Sequence, residues 1–288
     1  MASNLRLLVL EGNTKAACAA LADAGGVPNG TLYVNVLKSL FPHADVDLIY
    51  PAEADETLPD GSALQSYDGV VLGGSALRIN DGDDPAVTRQ IELARAVFQS
   101  RVPFFGSCWA VQVAALAAGG EVRPAPKGRE VGIARKITVT PDGMGHPLYA
   151  GKPHVFDALA IHYDEVSHLP PGSNVLASNH HSLIQGVSMT YAGGTFTGVQ
   201  YHPEFDLNQW AALTRRYGPA LIEQGFYADE AAAAEHATLL ETLRDDPDRS
   251  DIAWMLGLDT DVLDDTIRWA EIRNWVEHIV MPHKAAAA

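Results

Sequence analysis

A cysteine placed between a predicted strand and a predicted helix constrains this chain more than any other feature. Residues 102–105, Val-Pro-Phe-Phe, are an apolar run typical of a buried parallel strand. Gly106 permits a sharp turn, and residues 110–118 have the pattern of a helix. Cys108 therefore lies near the positive end of a helix dipole, which favours thiolate, the form that attacks carbonyls. The pattern predicts a strained nucleophile elbow with cysteine in place of serine.

A second motif, Gln200-Tyr-His-Pro-Glu-Phe205, offers a base and a carboxylate. His202 and Glu204 are two residues apart, so on an extended segment both side chains point to the same face. Glu204 would then orient the imidazole. His202 would take the proton from Cys108 and later deliver it to a leaving nitrogen. Together the two motifs predict a catalytic triad in the order Cys, His, Glu.

Alternating apolar runs and helical patterns predict the fold. Apolar runs at 5–10, 46–50 and 69–72 are typical of strands buried on both faces. Helical patterns follow at 31–40 and 85–98. The alternation predicts an α/β fold, with a doubly wound, mostly parallel sheet flanked by helices and a flavodoxin-like order.

The rest of the chain predicts further strands and then a helical extension. Strands are expected at 131–140, 155–158, 175–178 and 195–201, and helices at 207–217, 229–243 and 261–279. We expect a catalytic domain over 1–226, a helical extension packed on it over 227–284, and a tail or vector-derived remnant at 285–288.

Composition restricts the partners and the compartment. The 288 residues are 47% hydrophobic and 19% charged, which suits one or two compact domains. A net charge of −16 makes nucleic acid a poor partner. With only Cys18 and Cys108, no signal-peptide layout and no run of ~18 apolar residues, we expect a cytoplasmic protein without a membrane span. The 11 histidines lack metal-ligand spacing and no phosphate-binding fingerprint is present, so neither a metal nor a cofactor is expected.

At these residues the chain resembles the class I glutamine amidotransferases, whose signatures are a Gly-x-Cys-x-Gly-x-Gln elbow and a Gln-x-His-Pro-Glu motif. Further similar pieces lie at 68–75, 127–132 and 160–166. The resemblance spans roughly residues 5–226 and is nearest to the free-standing members, which carry no synthetase domain. Two positions differ, since Ala110 replaces the second glycine of the elbow and Ser75 replaces the proline of a Gly-Gly-Pro loop.

The resemblance implies roles for four further residues. The backbone N–H groups of Gly74 and Trp109 would form the oxyanion hole. Gln112, one helical turn after Cys108, would hydrogen-bond the α-amino or α-carboxylate end of a γ-glutamyl group. His162 is expected to be structural or to line the pocket.

The same resemblance implies hydrolysis of a γ-glutamyl amide through a Cys108 thioester, with release of glutamate and an amine. The substrate would be a small molecule, with γ-glutamylanilide as a specific candidate. One alternative is a glutaminase subunit that supplies ammonia to a separate synthetase. Others are a non-catalytic protein that binds a γ-glutamyl ligand or a partner protein, and a cysteine peptidase. The amine and the oligomeric state stay open.

Overall fold

The computed structural model describes residues 4–79 and 83–287. Eleven strands lie within these ranges: β1 (Arg6–Leu10), β2 (Asp45–Ile49), β3 (Gly69–Leu72), β4 (Phe104–Ser107), β5 (Glu121–Pro124), β6 (Glu130–Val139), β7 (Val155–His162), β8 (Asp164–His168), β9 (Asn174–Ser178), β10 (Gly186–Tyr191) and β11 (Gly194–Val199).

The same described ranges contain thirteen α-helices: α1 (Lys15–Asp23), α2 (Asn29–Leu40), α3 (Gly61–Leu64), α4 (Pro85–Ser100), α5 (Trp109–Ala117), α6 (Pro141–Met144), α7 (Leu207–Glu223), α8 (Glu230–Asp245), α9 (Ser250–Leu256), α10 (Thr260–Leu263), α11 (Asp265–Arg268), α12 (Ala270–Trp275) and α13 (Met281–Ala287). A 3₁₀ turn at Pro147–Tyr149 and a π-helical turn at Val276–Val280 complete the helical elements of this part of the chain.

One large sheet organises the molecule. Nine strands lie in the order β2-β1-β3-β4-β11-β10-β9-β6-β7, while β5 and β8 form a separate antiparallel pair. The strands from β2 to β11 in this order pair in parallel, and those from β11 to β7 pair antiparallel. The predicted doubly wound α/β fold is confirmed, with the antiparallel strands extending its parallel half.

Both faces of the sheet are buried, as the apolar runs predicted. On β1, Leu8 and Leu10 belong to the core beneath α4 and α5. Leu7 and Val9 belong to the opposite core, which includes residues of α2 and α12. A third core lies beneath α7 and α8. Because the period of a strand is two, a continuous apolar run fills both faces at once.

The C-terminal helices differ from the expected single helix over 261–279. That span is divided into α10, α11, α12 and a π-helical turn. Asp264 has an extended backbone, and its side chain accepts a hydrogen bond from the N–H of Thr266, which begins a new helix. Helix α13 continues through residues 285–287, so this part of the expected tail is helical, whereas residue 288 lies outside the described residues. None of the helices in the described ranges is long and apolar enough to cross a membrane.

Candidate active site

Cys108 lies at the turn between β4 and α5, as the sequence predicted. Its backbone has φ 51° and ψ −98°, a left-handed conformation that is costly for a residue with a Cβ. Its N–H donates to the carbonyl of Val199 on β11 at 2.7 Å. The thiol is buried, and its sulfur lies 3.6 Å from the carbonyl oxygen of Ile161. The turn therefore holds the sulfur in a strained, fixed position at the end of the parallel strands.

Close packing explains the glycine and the alanine that flank this turn. A Cβ added at Gly106 would clash with the carbonyl oxygen of Leu72 and with the Cβ of Ala110. Only glycine therefore fits at position 106. The methyl group of Ala110, where the resembling family has glycine, is fully buried against this space.

His202 and Glu204 form a buried pair three residues after β11 ends. The Nδ1 atom of His202 lies 2.7 Å from Oε1 of Glu204, and Ser107 donates to the same oxygen at 2.8 Å. The imidazole stacks on Phe205 with the ring centroids 3.8 Å apart and an angle of 7°. Nδ1 therefore carries the proton, and Nε2 is left with no hydrogen-bond partner among the described residues.

The electrostatics of the pair favour a charged imidazole. Burial acts to lower the pKa of His202, but the Glu204 carboxylate and the Cys108 thiol outweigh it and raise the pKa to about 10. Cys108 and His202 line the same cavity. The site therefore stabilises His202 once it has accepted a proton.

Hydrogen bonds hold the loop that contains Gly74 at the two residues that follow it. Ser75 donates from Oγ to the carbonyl of Gly12 at 2.8 Å. Asn13 accepts from the N–H of Ala76 at 2.8 Å through its Oδ1. The serine that replaces proline therefore anchors the loop through side-chain hydrogen bonds rather than through a fixed φ angle.

A buried carboxylate holds Asn13, one of the residues that fix this loop. Glu11, at the end of β1, accepts from the N–H and the Nδ2 of Asn13, each at 3.0 Å, and from the N–H of Gly30 at 2.7 Å. Burial raises its pKa, although these hydrogen bonds act in the opposite direction. Sequence inspection missed Glu11 and Asn13, because Gly30 and Ala76, which they hold, are distant in the chain.

Gly74 and Trp109 lie next to the Cys108–His202 pair. A Cβ added at Gly74 would lie 2.7 Å from Cε1 of His202, so the backbone approaches the ring closely there. Trp109 is the first residue of α5, where a backbone N–H has no partner within the helix. The indole of Trp109 is fixed by a 2.8 Å hydrogen bond to Gln90.

Gln112 and His162 converge on one carbonyl group. Gln112 is buried at the cavity wall and donates from Nε2 to the carbonyl of Asp164 at 3.1 Å. Nδ1 of His162 lies 3.1 Å from the same carbonyl oxygen, and its Nε2 lies 2.8 Å from Oε2 of Glu130. His162 is thus a hydrogen-bonded, buried residue at the edge of the pocket.

Glu130, His162 and His181 form the one group of possible metal ligands found in the part of the chain that the structure describes. Asn179 and Gln185 donate to Glu130 at 2.7 Å each, and His162 contacts it at 2.8 Å. Side-chain partners thus occupy both oxygens of the carboxylate. Nδ1 of His181 is more distant, at 3.9 Å from Glu130.

The cavity in front of Cys108 encloses about 120 Å³. Its lining includes Gln112 and Asp164, together with Phe205 and residues of α7. Three arginines also line it: Arg78, Arg129 and Arg216. Arg129 lies in a segment that resembles the amidotransferases, but nothing in the sequence of α7 singled out Arg216.

Comparisons with known proteins agree with this fold. The sequence model of the family "Glutamine amidotransferase class-I" matches residues 33–216, so the chain belongs to that family. It is 34% identical over 285 residues to a gamma-glutamyl-L-1-hydroxyisopropylamide hydrolase from Pseudomonas sp., which covers 96% of this chain and 94% of that protein. It is 31% identical over 206 residues to gamma-glutamyl peptidase 5 of Arabidopsis thaliana, covering 70% of this chain and 79% of that one.

A solved structure supports the fold independently. The crystal structure of a glutamine amidotransferase from Thermotoga maritima superposes with a TM-score of 0.64 at 18% identity, covering 96% of this chain and 98% of that chain. The resemblance stated from the sequence motifs is therefore confirmed.

Proposed function

We propose that this protein hydrolyses γ-glutamyl amide bonds through a thioester at Cys108, releasing glutamate and an amine. One observation carries the proposal: the strained cysteine of the elbow shares a cavity with an imidazole that a buried carboxylate orients. The relatives that match this chain over most of its length and theirs are named as γ-glutamyl amide hydrolases and peptidases, which supports the same bond.

The acylation step uses both motifs. Cys108 transfers its proton to Nε2 of His202, and Glu204 stabilises the imidazolium through its contact with Nδ1. The thiolate attacks the γ-carbonyl carbon, whose oxygen becomes an oxyanion. When the intermediate collapses, the C–N bond breaks and Nε2 of His202 returns the proton to the leaving nitrogen. The amine leaves, and a γ-glutamyl thioester stays on Cys108.

Deacylation repeats the same chemistry with water. His202, now neutral, removes a proton from a water molecule that attacks the thioester carbonyl. The second oxyanion collapses, the C–S bond breaks, and glutamate and the Cys108 thiolate are released. The imidazolium then stands opposite the thiolate again, ready for the next substrate.

We assign the oxyanion hole to the backbone N–H groups of Gly74 and Trp109. The close approach of Gly74 to His202 and the position of Trp109 at the start of α5 support this assignment. The hydrogen bonds of Ser75 and Asn13 would keep the loop in place without a partner protein.

We assign the γ-glutamyl end of the substrate to the side of the cavity formed by Gln112 and Asp164. Both residues lie at the cavity wall, and one hydrogen bond fixes the Gln112 amide against the carbonyl of Asp164. A polar wall of this kind suits the α-amino and α-carboxylate groups that every γ-glutamyl compound shares.

The test is release of glutamate and amine from glutamine and from a panel of γ-glutamyl amides, with the purified chain alone. We expect the wild type to cleave γ-glutamyl amides and to accumulate a species heavier by one γ-glutamyl group, detected by mass spectrometry. Cys108→Ala should show neither. Turnover of glutamine alone, enhanced by a synthetase, would favour an amidotransferase subunit instead. Binding without any thioester or release would favour a non-catalytic protein.

A further inference from the structure

Guanidinium groups and tyrosine rings alternate along the wall of the cavity. Arg78 lies over Tyr163 at 4.5 Å, and Arg129 lies 5.9 Å from Tyr163 and 5.6 Å from Tyr217, measured from guanidinium carbon to ring centroid. Arg216 lies over Tyr217 at 5.5 Å. All five residues line the cavity that contains Cys108. We call this set the arginine–tyrosine ladder. It is a local concentration of positive charge in a chain whose net charge is −16.

The arginines of the ladder differ in their partners. Arg78 pairs with the carboxylate of Asp164 at 3.3 Å. Arg129 and Arg216 pair with no carboxylate in residues 4–79 and 83–287; Arg129 donates to the amide oxygen of Gln224 at 3.1 Å, and Arg216 to the carbonyl of Ala17 at 2.6 Å. Burial lowers the pKa of Arg129, and the charge of Arg78 lowers it further. Two half-buried cations thus face the cavity without a neutralising anion among the described residues.

Arg129 and Arg216 line the cavity that also contains His202, beside which the amine end of a bound substrate has to lie. If the proposed hydrolysis holds, His202 gives its proton to the leaving nitrogen, so the amine must lie beside His202. Phe205 stacks on that ring, and α7 begins two residues later. Arg216 and Tyr217 are on α7 and face the same cavity. The γ-glutamyl end is assigned to Gln112 and Asp164, and the ladder runs away from it, from Arg78, which pairs with Asp164, to Arg216 at its other end.

We propose that the site selects γ-glutamyl amides whose amine portion carries a carboxylate, bound by Arg129 and Arg216. This inference rests on the proposed function. Guanidinium groups match the planar geometry of a carboxylate, and the two bonds would be charge-assisted. A substrate anion would supply the charge that the surrounding residues do not. The substrate class is therefore the γ-glutamyl conjugates of amino acids, rather than those of neutral amines such as aniline.

The experiment compares γ-glutamyl-β-alanine with its neutral carboxamide, γ-glutamyl-β-alaninamide, which share the γ-glutamyl group and the amide to be cleaved. We expect kcat/KM to favour the carboxylate by roughly tenfold or more, because a hydrogen bond to a charged group contributes that much. Arg216→Gln and Arg129→Gln should each bring the ratio of the two kcat/KM values towards one. Higher ionic strength should reduce the ratio in the wild type.

Arg215→Gln is the matched control, since it removes the same charge at the adjacent position of α7. Arg215 lies outside the cavity and pairs with Glu241 at 2.6 Å. We expect the Arg215→Gln chain to keep the wild-type ratio. An equal change of the ratio in Arg215→Gln and Arg216→Gln would indicate an effect of overall charge and would overturn the proposal.

Three further results would also overturn it. A wild type without a preference for the carboxylate is one, and better cleavage of γ-glutamylanilide is another. An equal loss on both amides in Arg129→Gln and Arg216→Gln would place these arginines at the γ-glutamyl end instead. If the wild type cleaves neither these two amides nor γ-glutamylanilide, the proposed hydrolysis fails, and the dissociation constants of the two amides for the Cys108→Ala chain then decide the arginine proposal by the same criteria.

Discussion

Two buried clusters of polar side chains, each with a charged pair, meet at the neighbouring residues Tyr201 and His202. They differ in how completely their polar atoms are hydrogen-bonded. His202 pairs with Glu204 beside the cavity, and Nε2 of His202 and Oε2 of Glu204 have no hydrogen-bond partner among the described residues. Tyr201 belongs to the second cluster, which joins the sheet to the C-terminal helices through Glu271 of α12. One cluster is left incomplete, and the other is complete.

The complete cluster surrounds Glu271. Nζ of Lys152 lies 2.6 Å from Oε1 of Glu271, and Tyr201 donates a hydrogen bond to the same carboxylate. The hydroxyl groups of Tyr201 and Tyr149 are 3.1 Å apart. Burial lowers the pKa of Lys152, while the Glu271 charge opposes this effect. Here the buried charges are used to fasten helices to a sheet.

This difference in hydrogen bonding indicates the role of each cluster. An unpartnered buried polar atom costs about 1–3 kcal/mol, so its retention needs a reason other than stability. The free Nε2 of His202 faces the cavity where a proton has to be transferred. The Glu271 cluster has no role in the proposed reaction, and its polar side-chain atoms all have hydrogen-bond or ion-pair partners. Function and stability are therefore expected to respond differently when each cluster is damaged.

The largest effect is expected from Glu204→Gln, which removes the charge that holds His202 protonated. We expect kcat to fall on the order of 10⁴-fold, as for the orienting acid of other triads. In the wild type, the imidazolium persists up to its pKa of about 10, so activity should decline only as pH rises through about 10. In the variant this pKa falls, and the alkaline decline of the pH–kcat profile should move to lower pH. Glu92→Gln, on the exposed side of α4, is the control.

Glu271→Gln should damage stability instead. Removing one partner of a buried pair leaves Lys152 without its counter-charge, and we expect the free energy of unfolding in urea to fall by roughly 3 kcal/mol. The folded fraction should keep its kcat within a few-fold. The double variant Lys152→Met, Glu271→Leu should be more stable than Glu271→Gln, and Glu277→Gln, at an exposed position, should match the wild type. A loss of kcat without a loss of stability would remove the contrast between the clusters.

A smaller effect on stability is expected at the strained backbone of Cys108, where glycine should stabilise the fold relative to alanine. Cys108→Gly should be more stable than Cys108→Ala by about 1 kcal/mol, because glycine tolerates a φ of 51°. Ala234→Gly on the exposed face of α8 should instead lose about 1 kcal/mol. Urea unfolding of the three variants and the wild type measures both differences. Equal stability of the two Cys108 variants would argue that the turn relaxes when the sulfur is gone.

The smallest effect is expected from Ser107→Ala. Ser107 donates to Glu204 at 2.8 Å, and the bond helps to place the carboxylate that orients His202. Its loss should reduce kcat about fivefold, the value of one ordinary hydrogen bond. A reduction as large as that of Glu204→Gln would show that the carboxylate is positioned mainly by the serine.

The elements that the sequence predicted well are those with a local pattern. The apolar runs of β1, β3 and β4 and the turn at Gly106 each follow from a few adjacent residues. The prediction of one helix over 261–279 was wrong, because Asp264 caps a new helix within an apolar repeat that looks continuous. Periodicity describes which face is buried, but it does not report where a side chain interrupts the backbone.

The wall of the site was less accessible to prediction than its centre. Two short motifs contain Cys108, His202 and Glu204, so these residues could be predicted from the sequence. Arg216 and Asn13 do not, because their contacts join residues far apart in the chain. A surface arginine and a buried cavity arginine have the same letter and similar neighbours, and only the packed fold separates them.

The parallel pairing of β4 with β11 also sets the geometry of the site. Val199 pairs with Ser107, and the carbonyl of Val199 accepts from the N–H of Cys108, so one stretch of parallel strand sets the distance between thiol and imidazole. Much of the wall around them comes from elsewhere, including Arg129 and the segment from Ile161 to Asp164. Under the proposed hydrolysis, substitutions in this part of the wall should change which amine is released, while the same bond is still broken.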